Sequence, residues 1–283
     1  MLGGDSIRFT KMQALGNDYI YVDCTKDKVE QPAKLARLLS NRHYGIGSDG
    51  LILIRNSPVA DFKMEMYNSD GSQGKMCGNG IRCVAKYVHD YGLSGKKELD
   101  IETLSGIRHI VLQLENNEVQ SICVDMGEPV FCPERIPVRV NTQRVIDYPL
   151  MVNDTEYRIN CMSMGNPHCV IFVNDINKII LEKLGHSFED TNLFPDGINL
   201  EAAEVVSRDI IRVRVWERGS GETLACGTGA CATLVAAVLN GYSSRRAHII
   251  LPGGELLVRW EDKSVYMTGT AQTVFSGEID VKE

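Results

Sequence analysis

Short apolar and β-branched runs broken by Gly, Pro, Asn and Asp dominate the pattern of hydrophobic and polar positions along the chain. The runs "YIYVDC" (19–24), "LILIR" (51–55), "FKMEMYN" (62–68), "SICVDMG" (121–127), "CVIFVN" (169–174), "IRVRVWE" (211–217) and "HIILPGGELLVRW" (248–260) predict strands. Two stretches with helical spacing, "PAKLARLLSNRH" (32–43) and "DINKIILEKLG" (175–185), predict amphipathic helices. A further helix is expected after each of two glycine turns, at 78 and 227. The second, "GACATLVAAVLNGY" (229–242), is apolar on nearly every face and must be buried.

The two glycine turns expose an internal repeat. "MCGNGIRC" and "LACGTGACA" share Cys-Gly-x-Gly, and Cys226 lies 149 residues after Cys77. The same shift places Gly16 and Asn17 on Gly165 and Asn166, Asn68 on Glu217, Tyr67 on Trp216 and Gly50 on Asn199. The expected fold is therefore α+β, with two pseudo-symmetric halves, each a curved mixed β-sheet wrapped around a central helix. The repeat sets the expected halves at 1–122 with 272–283, and 123–271.

Composition changes this picture little. The 283 residues carry 43% hydrophobic and 24% charged positions and a formal net charge of −7, with no basic stripe to grip nucleic acid. The chain shows no membrane-length apolar run and no signal-peptide pattern, so a cytoplasmic protein with no membrane partner is expected. Nine cysteines, an odd number scattered through a large chain, argue for free thiols over a disulfide framework. No Cys-x-x-Cys or His-x-x-x-His occurs, which argues against a metal site.

Cysteine at the start of a helix has two readings. It is a small core residue beside a tight turn, or a thiol whose pKa the helix dipole and free amides lower from about 8.5. The duplication favours the second. Two equivalent thiols, each at an anion-binding helix end, suit the inversion of a stereocentre: one removes a proton beside a carboxylate and the other delivers a proton to the opposite face. Cys83 and Cys231 lie deeper in the same helices, where alanine should be tolerated.

The segments "GNDYIYVD", "RHYGIGSDGLI", "YNSDGS", "MCGNGIRC", "MGNPHCV" and "WERGSGETLACGTGACA" together resemble the diaminopimelate epimerase family. The likeness runs from about residue 8 to "GTAQTVFSGEI" near the C-terminus. It implies a cofactor-independent isomerase that interconverts LL- and meso-diaminopimelate, for lysine and peptidoglycan precursor biosynthesis. Cys77 and Cys226 would form the acid/base pair, with neither pyridoxal phosphate nor metal. By the same resemblance Asn17, Asn68, Asn166, Asn199 and Arg218 contact the small-molecule substrate, chiefly its distal centre. The Gly78–Asn79 and Gly227–Thr228 amides hold the reacting carboxylate, while Glu217 and His168 adjust the thiols and receive the amino group. One position departs: where some members carry glutamine, this chain has Gly50. Two alternatives stay open, a racemase of another amino acid such as histidine on the same fold, and a non-catalytic amino acid binding or redox-sensing protein. A homodimer is also left open.

Overall fold

The computed structural model describes residues 6–280. The chain divides into two compact units, Met1–Val124 with Gly269–Glu283, and Asp125–Thr268.

The first unit contains β1 (Ser6–Ala14), β2 (Asn17–Asp23), α1 (Pro32–Ser40), β3 (Gly50–Arg55), β4 (Phe62–Asn68), β5 (Gln73–Gly74), α2 (Gly78–Asp90), β6 (Glu98–Thr103), β7 (Gly106–Glu115) and β8 (Glu118–Gly127), the last of which runs on past the division. Its sheet is mixed. β2 and β3 are parallel, with α1 as the crossover, and so are β4 and β6, with α2 between them; the remaining pairs are antiparallel. The C-terminal strand Gln272–Asp280 pairs antiparallel with the outer side of β1. A two-residue turn joins β1 to β2, with Leu15 at φ 57° and Gly16 at φ 81°, the left-handed backbone that tight hairpins use.

In the second unit, β9 (Val145–Val152), β10 (Thr155–Ser163), β11 (Pro167–Phe172), α3 (Leu181–Glu189), β12 (Asn199–Ser207), β13 (Ile210–Glu217), β14 (Gly221–Thr223), α4 (Gly227–Leu239), β15 (Arg246–Leu251), β16 (Gly254–Glu261) and β17 (Ser264–Gly269) repeat the plan. Here β11 and β12, and again β13 and β15, are the parallel pairs. The C-terminal strand is β18. The 149-residue shift carries β1, α1 and α2 onto β10, α3 and α4 with no residue gained or lost at either end.

The central helices are buried as the apolar pattern requires. Ten of the thirteen residues of α4 are buried, and it packs against β10, β11, β12, β13, β15 and β16 of its own unit. α2 packs against β1, β2 and β7. Its interior includes Arg82, fully buried, whose guanidinium donates to the carbonyls of Thr270 and Gly78 and to Asn79 Oδ1. α1 packs against β3 and β4, and α3 against β12, β13 and β14. α3 lies so close to Trp216 that a Cβ on Gly185 would stand 2.4 Å from the indole. Among the described residues no helix is long and apolar enough to cross a membrane.

The expected helix over 175–185 is corrected. Asp175 Oδ1 accepts from the Asn177 amide and pulls the chain into a short 3-10 turn, Ile176–Lys178, so α3 starts only at Leu181. The other amphipathic stretch also stops short of 43. Asn41 Oδ1 accepts from the amides of His43 and Tyr44 and closes the chain into a turn after Ser40.

Candidate functional site

In the first unit Cys77 is the N-cap of α2, with extended backbone (φ −133°, ψ 117°), and its Sγ accepts from the Gly80 amide at 3.2 Å. That bond satisfies one of the helix's first amides. The backbone at Gly80 packs closely: a Cβ there would lie 2.7 Å from Ile52 Cδ1, so the isoleucine tip would have to shift. The thiol of Cys77 donates to Asn17 Oδ1 at 3.3 Å. Asn17 is held in this orientation because its Nδ2 donates to Asp49 Oδ2 at 2.8 Å. Asp49 and Asp18 both pair with Arg42, and Lys11 pairs with Asp18 at 2.7 Å. Burial would raise the Asp18 pKa, but the hydrogen bonds and charges of Arg42 and Lys11 outweigh it and hold the carboxyl below its usual range. Asn79 is buried, with Oδ1 bound to Arg82 at 2.8 Å. Asn68 does not join this group; its side chain bonds Ser72 across a turn.

Gly50 has a structural reason. A Cβ at this position would stand 2.2 Å from the Tyr67 carbonyl and 2.7 Å from the Tyr19 ring, so the local packing of β2, β3 and β4 excludes any side chain.

The second unit repeats the cap. Cys226 is the N-cap of α4 (φ −121°, ψ 111°), and its Sγ accepts from Gly229 N at 3.4 Å and lies 3.4 Å from Thr228 Oγ1. The thiol nevertheless differs from the sequence expectation. Burial first, and then the negative charges of Glu217 and Glu201, push Cys226 well above the ordinary thiol pKa; the bonds from Thr228 and Gly229 oppose this and lose. A helix N-terminus alone lowers a thiol's pKa, but here desolvation and two carboxylates decide the sign. Cys83, also fully buried, is pushed up to about 12 by burial.

His168 on β11 is fully buried, with Nδ1 2.6 Å from Glu201 Oε1 and Nε2 3.0 Å from Asn166 Oδ1. Asn199 is buried and internally committed: Nδ2 donates to the Pro167 carbonyl at 2.7 Å and Oδ1 accepts the Arg218 amide at 2.9 Å. The exposed Arg218 side chain lies along Gly197, and its Nη1 donates to the Asp196 carbonyl at 2.7 Å. Glu217 Oε1 accepts from the Thr223 hydroxyl.

Asp49, Arg82 and Glu201 are the supporting residues that motif reading missed. Each holds one of the expected side chains: Asn17, Asn79 and His168. Glu201 did leave a signal, because the shift places it on Ile52 inside the apolar run "LILIR". Among the described residues no three His, Cys, Asp or Glu side chains gather into a metal-holding group.

Solved structures share the fold. The Bacillus anthracis phenazine biosynthesis protein of the PhzF family superposes with a TM-score of 0.71 at 19% identity, covering 97% of this chain and 99% of its own. A hydroxyproline epimerase from Agrobacterium vitis gives 0.67 at 14% identity, over 97% and 91%. Sequence relatives are far nearer. Proteins named diaminopimelate epimerase are 51% identical in Acetivibrio thermocellus, over 98% of this chain and 100% of the relative, and 50% identical in Methanococcus maripaludis, over 97% and 100%. The one in Leptospira biflexa is 45% identical over 97% and 99%. The model of the diaminopimelate epimerase family matches residues 9–132 and 160–274, a span that takes in both cysteine caps, and the chain belongs to that family.

Proposed function

We propose that this chain interconverts LL- and meso-diaminopimelate without a cofactor, using Cys77 and Cys226 on opposite faces of one α-carbon. The observation that carries the reading is the repeated cap: in each unit a cysteine thiol accepts from the third amide of a buried helix. The family membership gives the substrate.

The chemistry needs a base, an acid and a sink for charge. A thiolate takes the α-proton and becomes a thiol, while the C–H electron pair moves into the adjacent carboxylate as an enediolate. The opposed thiol then gives its proton to the other face and becomes the thiolate. Amides at the two helix starts donate to the carboxylate oxygens and stabilise the charge that develops there. In one direction Cys77 is the base and Cys226 the acid. The return reaction exchanges the roles.

Arg218 is suited to a second carboxylate, on the distal end. Its backbone is fixed by Asn199, one amino group anchors on Asp196, and the rest of the guanidinium is exposed. Arg218→Ala should lower kcat/KM for diaminopimelate by roughly tenfold or more, chiefly through KM, the scale of losing one charge-assisted contact. Steady-state assays of the variant check this; an unchanged kcat/KM would reduce Arg218 to a surface residue. The reading as a whole is tested by incubating the purified protein with LL-diaminopimelate and L-histidine in parallel, with no cofactor added. Chiral chromatography should show inversion of the first alone. Inversion of histidine alone would transfer the activity to another amino acid, and inversion of neither would leave a binding protein.

A further inference from the structure

Glu201, in β12, is fully buried, with Oε1 against His168 Nδ1 and Oε2 without a partner among the described residues. Under the 149-residue shift His168 and Glu201 fall on Tyr19 and Ile52, while Gly229 falls on Gly80. The backbone closes in the same way in both units: a Cβ on Gly80 would stand 2.7 Å from Ile52 Cδ1, and one on Gly229 would stand 2.6 Å from Glu201 Oε1. The scaffold thus folds with an apolar residue beneath the helix start in one half. Burying two ionisable groups at the same place in the other half costs stability, so the pair answers to something other than folding.

Its reach follows from the hydrogen bonds. Nε2 of His168 faces Asn166 Oδ1, an acceptor, so Nε2 must carry the proton. The His168–Glu201 pair then holds two protons, one between Nδ1 and Oε1 and one on Nε2. Whether written imidazolium–carboxylate or imidazole–carboxylic acid, it is neutral, as burial favours. Burial also holds the Glu201 carboxyl above its ordinary range, against the opposing pull of His168. The other titratable groups around it are Glu217 on β13, Cys226 at the start of α4 and Cys169 on β11. With its oxygen committed, half-buried Asn166 turns its NH2 away from His168. Asn17, its equivalent, is set the other way, with NH2 on Asp49 and oxygen toward the Cys77 thiol.

We propose that Glu201 is a positioning residue for substrate recognition: through His168 it turns the Asn166 amide so that a donor, not an acceptor, meets a carboxylate of the substrate. If the pair lost one proton, Nε2 would become an acceptor, the amide would reverse, and an oxygen would face that carboxylate. The identity of the ligand rests on the epimerase reading, whereas the relay can be measured without turnover.

The test combines nitrogen-15 NMR of the His168 ring in the intact protein with KM and kcat for Glu201→Gln and Glu201→Ile. The wild-type ring should be protonated at Nε2. Glu201→Gln still donates to Nδ1 and should keep that state, with KM within about threefold of wild type. Glu201→Ile, which copies the first unit, should lose the fixed tautomer and raise KM by roughly tenfold, with a smaller change in kcat. A wild-type ring protonated on Nδ1 alone would overturn the proposal, as would an isoleucine variant with unchanged ring state and KM. Should the isoleucine variant not fold, the glutamine variant decides: a tenfold rise in its KM contradicts the relay. If the wild-type protein proves inactive on diaminopimelate, the ring state still decides the relay and the failure falls on the substrate.

Discussion

Cys77→Ala and Cys226→Ala are each expected to lower the rate of epimerisation by a factor of about 1,000 or more, the order that loss of a positioned acid or base produces, while the fold survives. Each thiol caps its own helix start: Cys77 is half-buried, and Cys226 is buried, with its Sγ against Thr228 and Gly229 of its own turn. Neither change removes the N1 and N2 amides, so substrate should still bind. The two variants should differ in what they retain. Cys77→Ala keeps the thiol of the second unit and lacks the group for the other face; Cys226→Ala keeps the thiol of the first unit and lacks the group for the far face. Each should therefore still exchange the α-hydrogen of the isomer that its remaining thiol faces, without inverting it. Rates with each isomer, together with circular dichroism of the variants, check this. A single variant at near wild-type rate would remove that thiol from the mechanism.

His168→Ala should destabilise the protein by about 3–5 kcal/mol near neutral pH, the cost of breaking a buried ion pair by removing one partner. His168 bonds Glu201 Oε1, and among the described residues Oε2 has no partner, so the variant strands a buried carboxyl. The pH dependence has a defined sign. Glu201 has its pKa raised by burial, and loss of His168 removes the charge and hydrogen bond that oppose the rise. A carboxyl with a folded pKa above its unfolded value, about 4.3 for glutamate, holds an extra proton in the folded state. Its contribution is full below the unfolded pKa and is lost as pH rises through the folded one. The deficit of His168→Ala relative to wild type should thus shrink as pH falls toward 4.3 and widen toward neutrality. Removing both partners, as His168→Leu with Glu201→Leu, should restore most of the stability and none of the activity. Denaturant melts at pH 5 and pH 8 measure this; a deficit independent of pH would mean that His168 acts by packing alone.

The repeat made much of this architecture legible. Cysteine caps, glycine turns and buried helices hold one register, and the shift of Pro32–Ser40 by 149 gives Leu181–Glu189, the observed α3. Local apolar spacing misplaced that helix at 175–185 because Ile176, Ile179 and Ile180 mimic helical periodicity, while Asp175 diverts the backbone. Other features depend on distance in space. The rise in the Cys226 pKa comes from Glu201 and Glu217, which are 25 and nine residues away in sequence and belong to different strands. The confinement of Gly50 comes from the Tyr67 carbonyl on a neighbouring strand. No motif contains those distances.

The opposed-thiol mechanism is tested most directly by epimerising pure LL-diaminopimelate in deuterium oxide and stopping at low conversion. If one group removed and returned the proton, solvent deuterium would enter recovered substrate and product alike. With Cys77 on one face and Cys226 on the other, the proton taken by one thiol is not the proton the other gives. Mass spectrometry should find deuterium at the inverted carbon of the meso product and protium in the remaining LL substrate. Extensive deuterium in the unreacted LL isomer would mean a single shared base and would contradict the two-thiol account.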